Sequence, residues 1–411
     1  MSFGNVLIYV TCFFGLFTLI YFYITLFENK SKIKSPELEN YPKVTIIVPA
    51  YNEEETIALT LNSLLELDYP KHKLEILVVN DGSTDKTEVV AKTFSDKGVK
   101  VFSKKNGGKG LALNFALKHA TGDFVGALDA DSFVDKYALK RILGHFDNPN
   151  VMAVTPSLKV WRPKTLLQKI QMMEFLIGIF LRKVFAFLHS LHVTPGPFTI
   201  YRKSYFDETG GYDHTTITED IEIALRIQSM NLIIENSVDA YVYTKGPPTF
   251  KALFIQRIRW YRGFLDNVVK YKYLFSKKYG LLGLFILPIS FISVFMVLFS
   301  VFYVIVKYIV QLTKFMINMN NINYDWMSLF QFNFDWFNIN LGPTAFLGVI
   351  AFFAGICMIL SAKSMSQEKT SLKMSYIWYL IFYWVLFGSW WFAALYYKII
   401  GKKIKWAGRW M

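Results

Sequence analysis

Cysteine is almost missing: 411 residues hold two, Cys12 and Cys357, and both sit in apolar stretches. A disulfide framework or a structural zinc site would need more sulfur at closer spacing, so both are excluded. Charge is scarce as well, at 18% against 53% apolar residues, which is too apolar for a wholly soluble chain and excludes intrinsic disorder. Acid is the minority among the charges, 31 Asp and Glu against 45 Lys and Arg, for a net charge of +14. That excess suits loops facing anionic lipid, and it suits a phosphate-bearing substrate. The basic residues are dispersed and no nucleic-acid-binding motif accompanies them, so nucleic acid is not an expected partner. What abounds is aromatic and aliphatic bulk, with 38 Phe, 24 Tyr and 10 Trp and long stretches free of charge. Part of the chain is built for a membrane.

The first apolar run, Val6 to Phe27, is long enough to cross about 30 Å of hydrocarbon and has no small-residue cleavage site. It is expected to be an uncleaved anchor rather than a signal peptide. Lys30, Lys32 and Lys34 follow it and put the next segment in the cytoplasm by the positive-inside tendency. From Lys43 to about Lys245 the composition turns to that of an α/β domain. Expected strands are Val44 to Pro49, Leu74 to Asn80, Val99 to Ser103 and Phe124 to Leu128. Between them Glu54 to Leu67, Lys86 to Lys97 and Gly110 to Ala120 carry helical periodicity, the βαβ signature of a mostly parallel sheet. Such sheets bind ligands at the carboxyl ends of their strands.

Three uncharged runs close the chain, Leu281 to Val306, Leu341 to Ala362 and Met374 to Tyr397, and are expected to be membrane helices. Two interrupted runs, Leu166 to Leu191 and Phe250 to Leu274, fit helices lying at the headgroup surface. The division is therefore an anchor over 1–28, a cytoplasmic domain over 29–248, an amphipathic helix over 249–279, a membrane region over 280–400 and a basic tail over 401–411. Three crossings after a cytoplasmic domain would put Lys402, Lys403, Lys405 and Arg409 outside, against the charge rule. Either the tail is an exception or one run re-enters, with Gly388-Ser389 a break point; the number of crossings stays open.

The polar residues gather where the strands end. Pro49-Ala50-Tyr51-Asn52-Glu53 and Asn80-Asp81-Gly82-Ser83 can grip a nucleoside's base and ribose, although Asn52, Asp81 and Ser83 singly could just cap helices. Asn106-Gly107-Gly108-Lys109-Gly110 brings backbone close to a ligand, with Lys109 set for a phosphate or a base carbonyl. Asp129-Ala130-Asp131 closes an apolar strand, and residues two apart on a strand face one way, so both carboxylates can meet one hard cation, Mg2+ or Mn2+, which would neutralise a diphosphate. Thr218-Glu219-Asp220 opens a helix: the bland account is a Thr N-cap with two acids on the dipole, the functional one a general base at Asp220. Gln256-x-x-Arg259-Trp260 offers a diphosphate fork and a sugar-stacking indole, or else a snorkelling surface helix.

In this order the five motifs, from Pro49 to Trp260, resemble those of the family-2 glycosyltransferases. They look most like the processive membrane synthases of cellulose, chitin, hyaluronan and poly-N-acetylglucosamine. The resemblance implies a GT-A (Rossmann-like) α/β catalytic domain on the cytoplasmic face of a multi-pass cell-membrane protein, with an α-helical membrane bundle and interfacial helices. It also implies a UDP-sugar donor and Mg2+ or Mn2+. By that likeness Ala50, Tyr51, Glu53, Asp81 and Lys109 contact the nucleotide, Asp129 lies against its ribose or diphosphate, and Asp131 coordinates the metal. Asp220 is the base that activates the acceptor hydroxyl, Glu219 stands beside it, and Gln256, Arg259 and Trp260 hold the diphosphate and the acceptor sugar. The expected product is a β-linked polysaccharide, with N-acetylglucosamine the sugar suggested by length and helix order. Membrane lipid is an expected partner, and a small accessory membrane subunit is admitted. Thr194-Pro195-Gly196-Pro197-Phe198-Thr199 matches the family's acceptor-side loop only at Gly196, Phe198 and Thr199. The rival readings are a single transfer from a UDP- or GDP-sugar to a polyprenyl phosphate, and a transporter with a cytosolic binding domain, whose best argument is the aromatic-rich loop Asn321 to Asn340.

Overall fold

The computed structural model describes residues 3–321, 342–370 and 372–402, and the backbone of a short antiparallel pair, Lys405–Trp406 with Arg409–Trp410. The loop Asn321 to Asn340 lies, past its first residue, outside the described residues, as do the side chains of Lys403, Lys405 and Arg409.

The chain opens with helix α1 (Phe3–Glu28), then enters an eight-stranded sheet. In chain order come β1 (Val44–Ala50), α2 (Ile57–Leu65), β2 (Leu74–Asn80), α3 (Thr87–Lys92), β3 (Val99–Ser103), α4 (Lys109–Leu117) and β4 (Phe124–Ala127). Next are β5 (Ser132–Val134), α5 (Ala138–Leu143), β6 (Val151–Val160), α6 (Leu166–Phe187), β7 (Ile200–Arg202), α7 (Lys203–Thr209), α8 (Glu219–Ser229) and β8 (Ile233–Thr244). The strands lie in the order β3-β2-β1-β4-β7-β6-β8-β5, and four of the seven pairings are parallel. Alternate residues of β1 explain why it is central: Ile46 and Val48 pack against Ile57, Leu61 and Leu64 of α2, while Ile47 faces the opposite core with Leu113, Ala116 and Ile223. Because β1, β2 and β4 run parallel, their carboxyl ends share one edge.

Beyond β8 the chain forms α9 (Phe250–Lys270), then α10 (Leu287–Asn321) preceded by one π turn, α11 (Pro343–Met365) and α12 (Lys373–Ile399). Four helices, α1 and α10 to α12, are long and apolar enough to cross a membrane, and α12 runs through Gly388-Ser389 without a break. Helix α6 lies between sheet and membrane helices. Its Met173, Leu176, Ile179 and Phe180 pack with Phe22 and Leu26 of α1 and Ile359 and Ala362 of α11, so this face is enclosed by protein. The connection from α1 is pinned to the domain as well: Ser35 hydrogen-bonds Asp239 and Ser237, His145 reaches Ser35, and Gly144 packs on the carbonyl of Pro36.

Candidate active site

The first two loops are tied to each other. Asn52 donates its N–H to Ser83 Oγ at 3.0 Å, and its Oδ1 accepts the N–H of Thr84 at 2.8 Å. Asn52 takes φ +55°, a left-handed conformation that asparagine tolerates. Asp81 accepts from the N–H of Gly107 at 2.9 Å, from that of Gly108 at 2.6 Å and from Lys104 Nζ at 2.6 Å. The capping account of Asn52, Asp81 and Ser83 therefore fails, because their polar atoms hold loop against loop. Gly82 is obligatory: its φ is +74° and a Cβ there would stand 2.7 Å from Asn106 N. Ala50 is buried and its carbonyl accepts the N–H of Asp81, while Tyr51 is half-buried at the same edge. Glu53 accepts from Thr56 Oγ1 at 2.7 Å, and burial raises its carboxyl, with Asp129 adding to the effect.

The centre of the edge is a charge cluster. Lys109 Nζ lies 2.7 Å from Asp129 Oδ1 and 3.1 Å from Glu219 Oε1. Burial works against the Lys109 charge, but Asp129, Glu219 and Asp220 outweigh it and hold the amine protonated well above the usual lysine range. Lys109 is thus ion-paired across the site and joins strand-end carboxylates to helix-start carboxylates. Gly196 completes the cluster, since a Cβ on it would come within 2.8 Å of Lys109 Nζ, 3.8 Å of Asp220 Oδ2 and 3.9 Å of Asp129 Oδ2. The two prolines of that loop do not keep it away. Thr194 Oγ1 donates to the Asp220 carbonyl at 2.6 Å, Thr199 Oγ1 to the Pro195 carbonyl at 2.6 Å, and Phe198 is fully buried at φ +61°.

Asp129 and Asp131 come together for a different reason from strand alternation. Strand β4 ends at Ala127, and the Asp129 carbonyl accepts Ser132 N–H in a turn, so the two carboxylates meet beyond the ladder. Burial, then the charges of Asp129 and Glu53, raise Asp131 to about 7. A carboxylate pushed up by like charge is short of a cation, and the donors are hard oxygens, so the pair fits Mg2+ or Mn2+. Among the described residues no group of three or more acidic, His or Cys side chains could hold a metal by itself. Two carboxylates plus substrate phosphates is the arrangement magnesium commonly accepts.

Helix α8 starts at Glu219, with Thr218 at its N-cap position but its side chain turned elsewhere. No capping bond forms; the Thr218 hydroxyl instead accepts from Asn267 Nδ2 of α9 at 3.1 Å, and Gly263 leaves room for it. Burial and the neighbouring Glu219 raise Asp220 to about 6, opposed by Lys109 and Arg259. Burial also works to raise Glu219, but Lys109 and Arg259 outweigh it and hold it below the usual carboxylate range. The same cations thus leave one carboxylate firmly ionised and its neighbour poised near neutrality.

Helix α9 supplies Arg259, whose guanidinium donates to the Ile217 carbonyl at 3.4 Å and whose charge is felt by Glu219 and Asp220. Gln256 and Trp260 are half-buried on the same helix. The residue after Gln256 was not foreseen. Arg257 is 1% exposed, donates to Glu174 Oε2 of α6 at 2.8 Å, and stacks on the rings of Trp260 at 4.2 Å and Trp390 at 5.6 Å. Asn267 was missed too; its amide bonds Thr216 and Thr218 and is buried. For Asn267 the available signal was a polar residue on the apolar face of an amphipathic helix.

Residues 45–210 match the family described as Glycosyl transferase family 2. A poly-beta-1,6-N-acetyl-D-glucosamine synthase of Staphylococcus aureus is 32% identical over 273 residues, 64% of this chain and 66% of that protein. This chain thus spans just under two thirds of that relative's length. The enzyme of the same name from Staphylococcus epidermidis is 28% identical over 366 residues, 87% of this chain and 84% of that one. Among solved structures, a mannosyltransferase from Pyrobaculum calidifontis in complex with GDP-Man and Mn2+ superposes with a TM-score of 0.58 at 18% identity, covering 97% of this chain and 99% of that one. At that identity the likeness speaks for the GT-A fold.

Proposed function

Because this chain carries a glycosyl transferase family 2 domain, we propose that it is a membrane-embedded, inverting polysaccharide synthase that adds N-acetylglucosamine from a UDP-sugar to a β-linked chain. The observation that carries the reading is the cluster in which Lys109 joins Asp129 of the strand edge to Glu219, next to Asp220, with Gly196 against Lys109, Asp129 and Asp220. Carboxylates separated by some ninety residues of sequence meet at one lysine.

In the proposed mechanism Ala50, Tyr51, Glu53 and Asp81 shape the nucleoside pocket, with Asp81 holding the Gly107-Gly108 turn against it. Lys109 balances Asp129 before the donor arrives and faces the diphosphate afterwards. Asp131 and Asp129 would hold Mg2+ or Mn2+, which supplies charge neutralisation to the diphosphate when bound. Asp220 accepts the proton of the acceptor hydroxyl. The freed oxygen lone pair forms the new bond to the anomeric carbon as the carbon–oxygen bond to UDP breaks, and UDP leaves with that electron pair. One displacement inverts the centre, so an α-linked donor gives a β-linked product. Arg259 takes up charge developing on the departing diphosphate, with Gln256 on the same helix, and Trp260 stacks on the acceptor sugar. The catalytic domain faces the cytoplasm, below Lys30, Lys32 and Lys34. The segments 1–28, 29–248, 249–279, 280–400 and 401–411 serve as anchor, catalytic domain, acceptor helix, membrane region and basic tail. Lipid covers exposed apolar side chains such as Phe13, Phe17, Phe295, Phe302 and Phe353, and a small accessory subunit would dock on the same faces.

Purified protein in lipid, given a panel of radiolabelled UDP-sugars with Mg2+ or Mn2+, is expected to make a polymer from UDP-N-acetylglucosamine that a hydrolase specific for its linkage degrades. A product one sugar long on a lipid phosphate would overturn the polymerising reading.

A further inference from the structure

Helix α6 carries a second guanidinium that nothing described so far uses. Arg182 lies two turns beyond Glu174, about 12 Å at 1.5 Å per residue, and their spacing of eight puts them on one helix face with Gly178 between them. A Cβ on Gly178 would stand 3.1 Å from Arg182 Nη1, so the glycine leaves the notch over which the guanidinium folds. The Nε and Nη2 of Arg182 are shielded from solvent and find no hydrogen-bond partner among the described residues. Burial alone pulls its pKa down to about 10, with no carboxylate countering it. Burying an unpaired cation is costly, and a group with donors only needs acceptors from somewhere. The other charge on this face is spoken for: Glu174 is paired with Arg257, which stacks on Trp260. The face therefore carries a net positive charge, and it begins beside the indole assigned to the acceptor sugar.

We propose that Arg182 is a specificity-determining residue of the acceptor path, where its guanidinium donates to hydroxyl and N-acyl carbonyl oxygens of an uncharged glycan chain and repels chains bearing free amines. The proposal rests on the synthase reading and names the class of acceptor it admits. An N-acetylated sugar offers carbonyl oxygens and no charge. Its de-N-acetylated counterpart brings an ammonium toward a cation in a site with little water, where like charges repel strongly. Glu174, already neutralised by Arg257, cannot compensate for that ammonium.

The test compares β-linked N-acetylglucosamine oligomers with de-N-acetylated oligomers of equal length, on the full chain in lipid nanodiscs. Two readouts are taken: kcat/KM as acceptors, and direct binding followed by tryptophan fluorescence. Wild type is expected to favour the N-acetylated oligomer by about tenfold or more in both. Arg182→Gln is expected to bring that ratio near one by weakening the N-acetylated oligomer and admitting the amine, whereas Arg182→Lys keeps the discrimination. An unchanged ratio in Arg182→Gln overturns the proposal. Binding that discriminates through Arg182 in a protein that transfers no sugar would uphold it while overturning the synthase reading.

Discussion

Replacing Asp220 by asparagine isolates the proton-accepting role from everything else the residue does. The Oδ1 of Asp220 accepts the N–H of Ile221 at 2.9 Å, and its carbonyl accepts from Thr194, so an amide at this position keeps both bonds and the start of α8. What it loses is basicity. General-base catalysis contributes about 10²–10⁴-fold, equivalent to a barrier rise of about 3–5 kcal/mol, so kcat in Asp220→Asn should fall by that factor while donor KM stays near wild type. The pH profile gives a second, sharper signature. The base must be ionised to work, and burial with Glu219 alongside raises Asp220 to about 6. Wild-type kcat should therefore be near its plateau at pH 7.5 and fall with unit slope as pH drops through 6, leaving about a tenth at pH 5. That acid limb should vanish in Asp220→Asn. Lys109 opposes the rise, so Lys109→Met should move the limb to higher pH. UDP release, measured by a coupled assay on protein of unchanged melting temperature, reads all three. An asparagine variant within tenfold of wild type, or one that keeps the acid limb, would refute the assignment.

Chelation should abolish transfer and Mg2+ or Mn2+ should restore it. In Asp131→Asn restoration should need far more cation, which titration of activity against metal reads directly. Breaking the Glu174–Arg257 pair leaves a charge stranded in the interior, so Arg257→Met should cost about 3–5 kcal/mol in thermal or chemical unfolding, with Arg257→Met combined with Glu174→Gln costing less than the single change. Gly144→Ala drives a Cβ into the Pro36 carbonyl, a backbone atom that cannot swing away, and should lower stability by about 1–3 kcal/mol. A variant that melts like wild type would mean the connection after α1 is not held there.

Short-range chemistry was legible and long-range pairing was not. Strands Leu74–Asn80 and Val99–Ser103 agree residue for residue with their apolar runs, because Lys, Asp and Gly bound them on both sides. The expected helices exist but are shorter, since loop residues such as Glu54 and Lys86 are spent bonding each other across the strand edge. Strands β6, β7 and β8 were not anticipated. Strand β6 mixes Thr155, Pro156, Ser157 and Lys159 with apolar residues, and its side chains are satisfied by partners eighty residues away, such as Ser157 with the Val238 carbonyl. In the site, the fold brings Asp129, Glu219 and Asp220 of those motifs around Lys109, yet the spacing argument for Asp129 and Asp131 invoked a strand that stops at Ala127. The Glu174–Arg257 pair spans 83 positions, and no local pattern marks Arg257 as different from Arg262. Only packing tells them apart.

We propose that the conflict between membrane crossings and the basic tail turns on where α12 begins and ends. Before it, the loop after α11 is held to the catalytic domain: Lys159 of β6 donates to the Ser366 carbonyl at 2.7 Å and pairs with Glu368 at 3.3 Å. After it, Lys398 pairs with Asp266 and Arg262 donates to the Lys402 carbonyl, and both partners lie on α9, whose Asn267 and Arg259 are bonded to the catalytic domain at Thr218 and Ile217. A helix with both ends fastened to one domain does not deliver its tail to the far side. It runs along α6 and α9 instead, with Trp391 stacked on Tyr261 at 4.6 Å and Trp390 over Arg257. On the proposed cytoplasmic placement of the catalytic domain, crossings by α1, α10 and α11 would leave Lys398 and Lys402 on the same side as Lys30, Lys32 and Lys34, as the charge rule asks. A fluorescent protein fused after Met411 should therefore mature in the cytoplasm, and a tag there should resist protease added outside intact cells. Cleavage of that tag from outside would restore four crossings and break the account of α12.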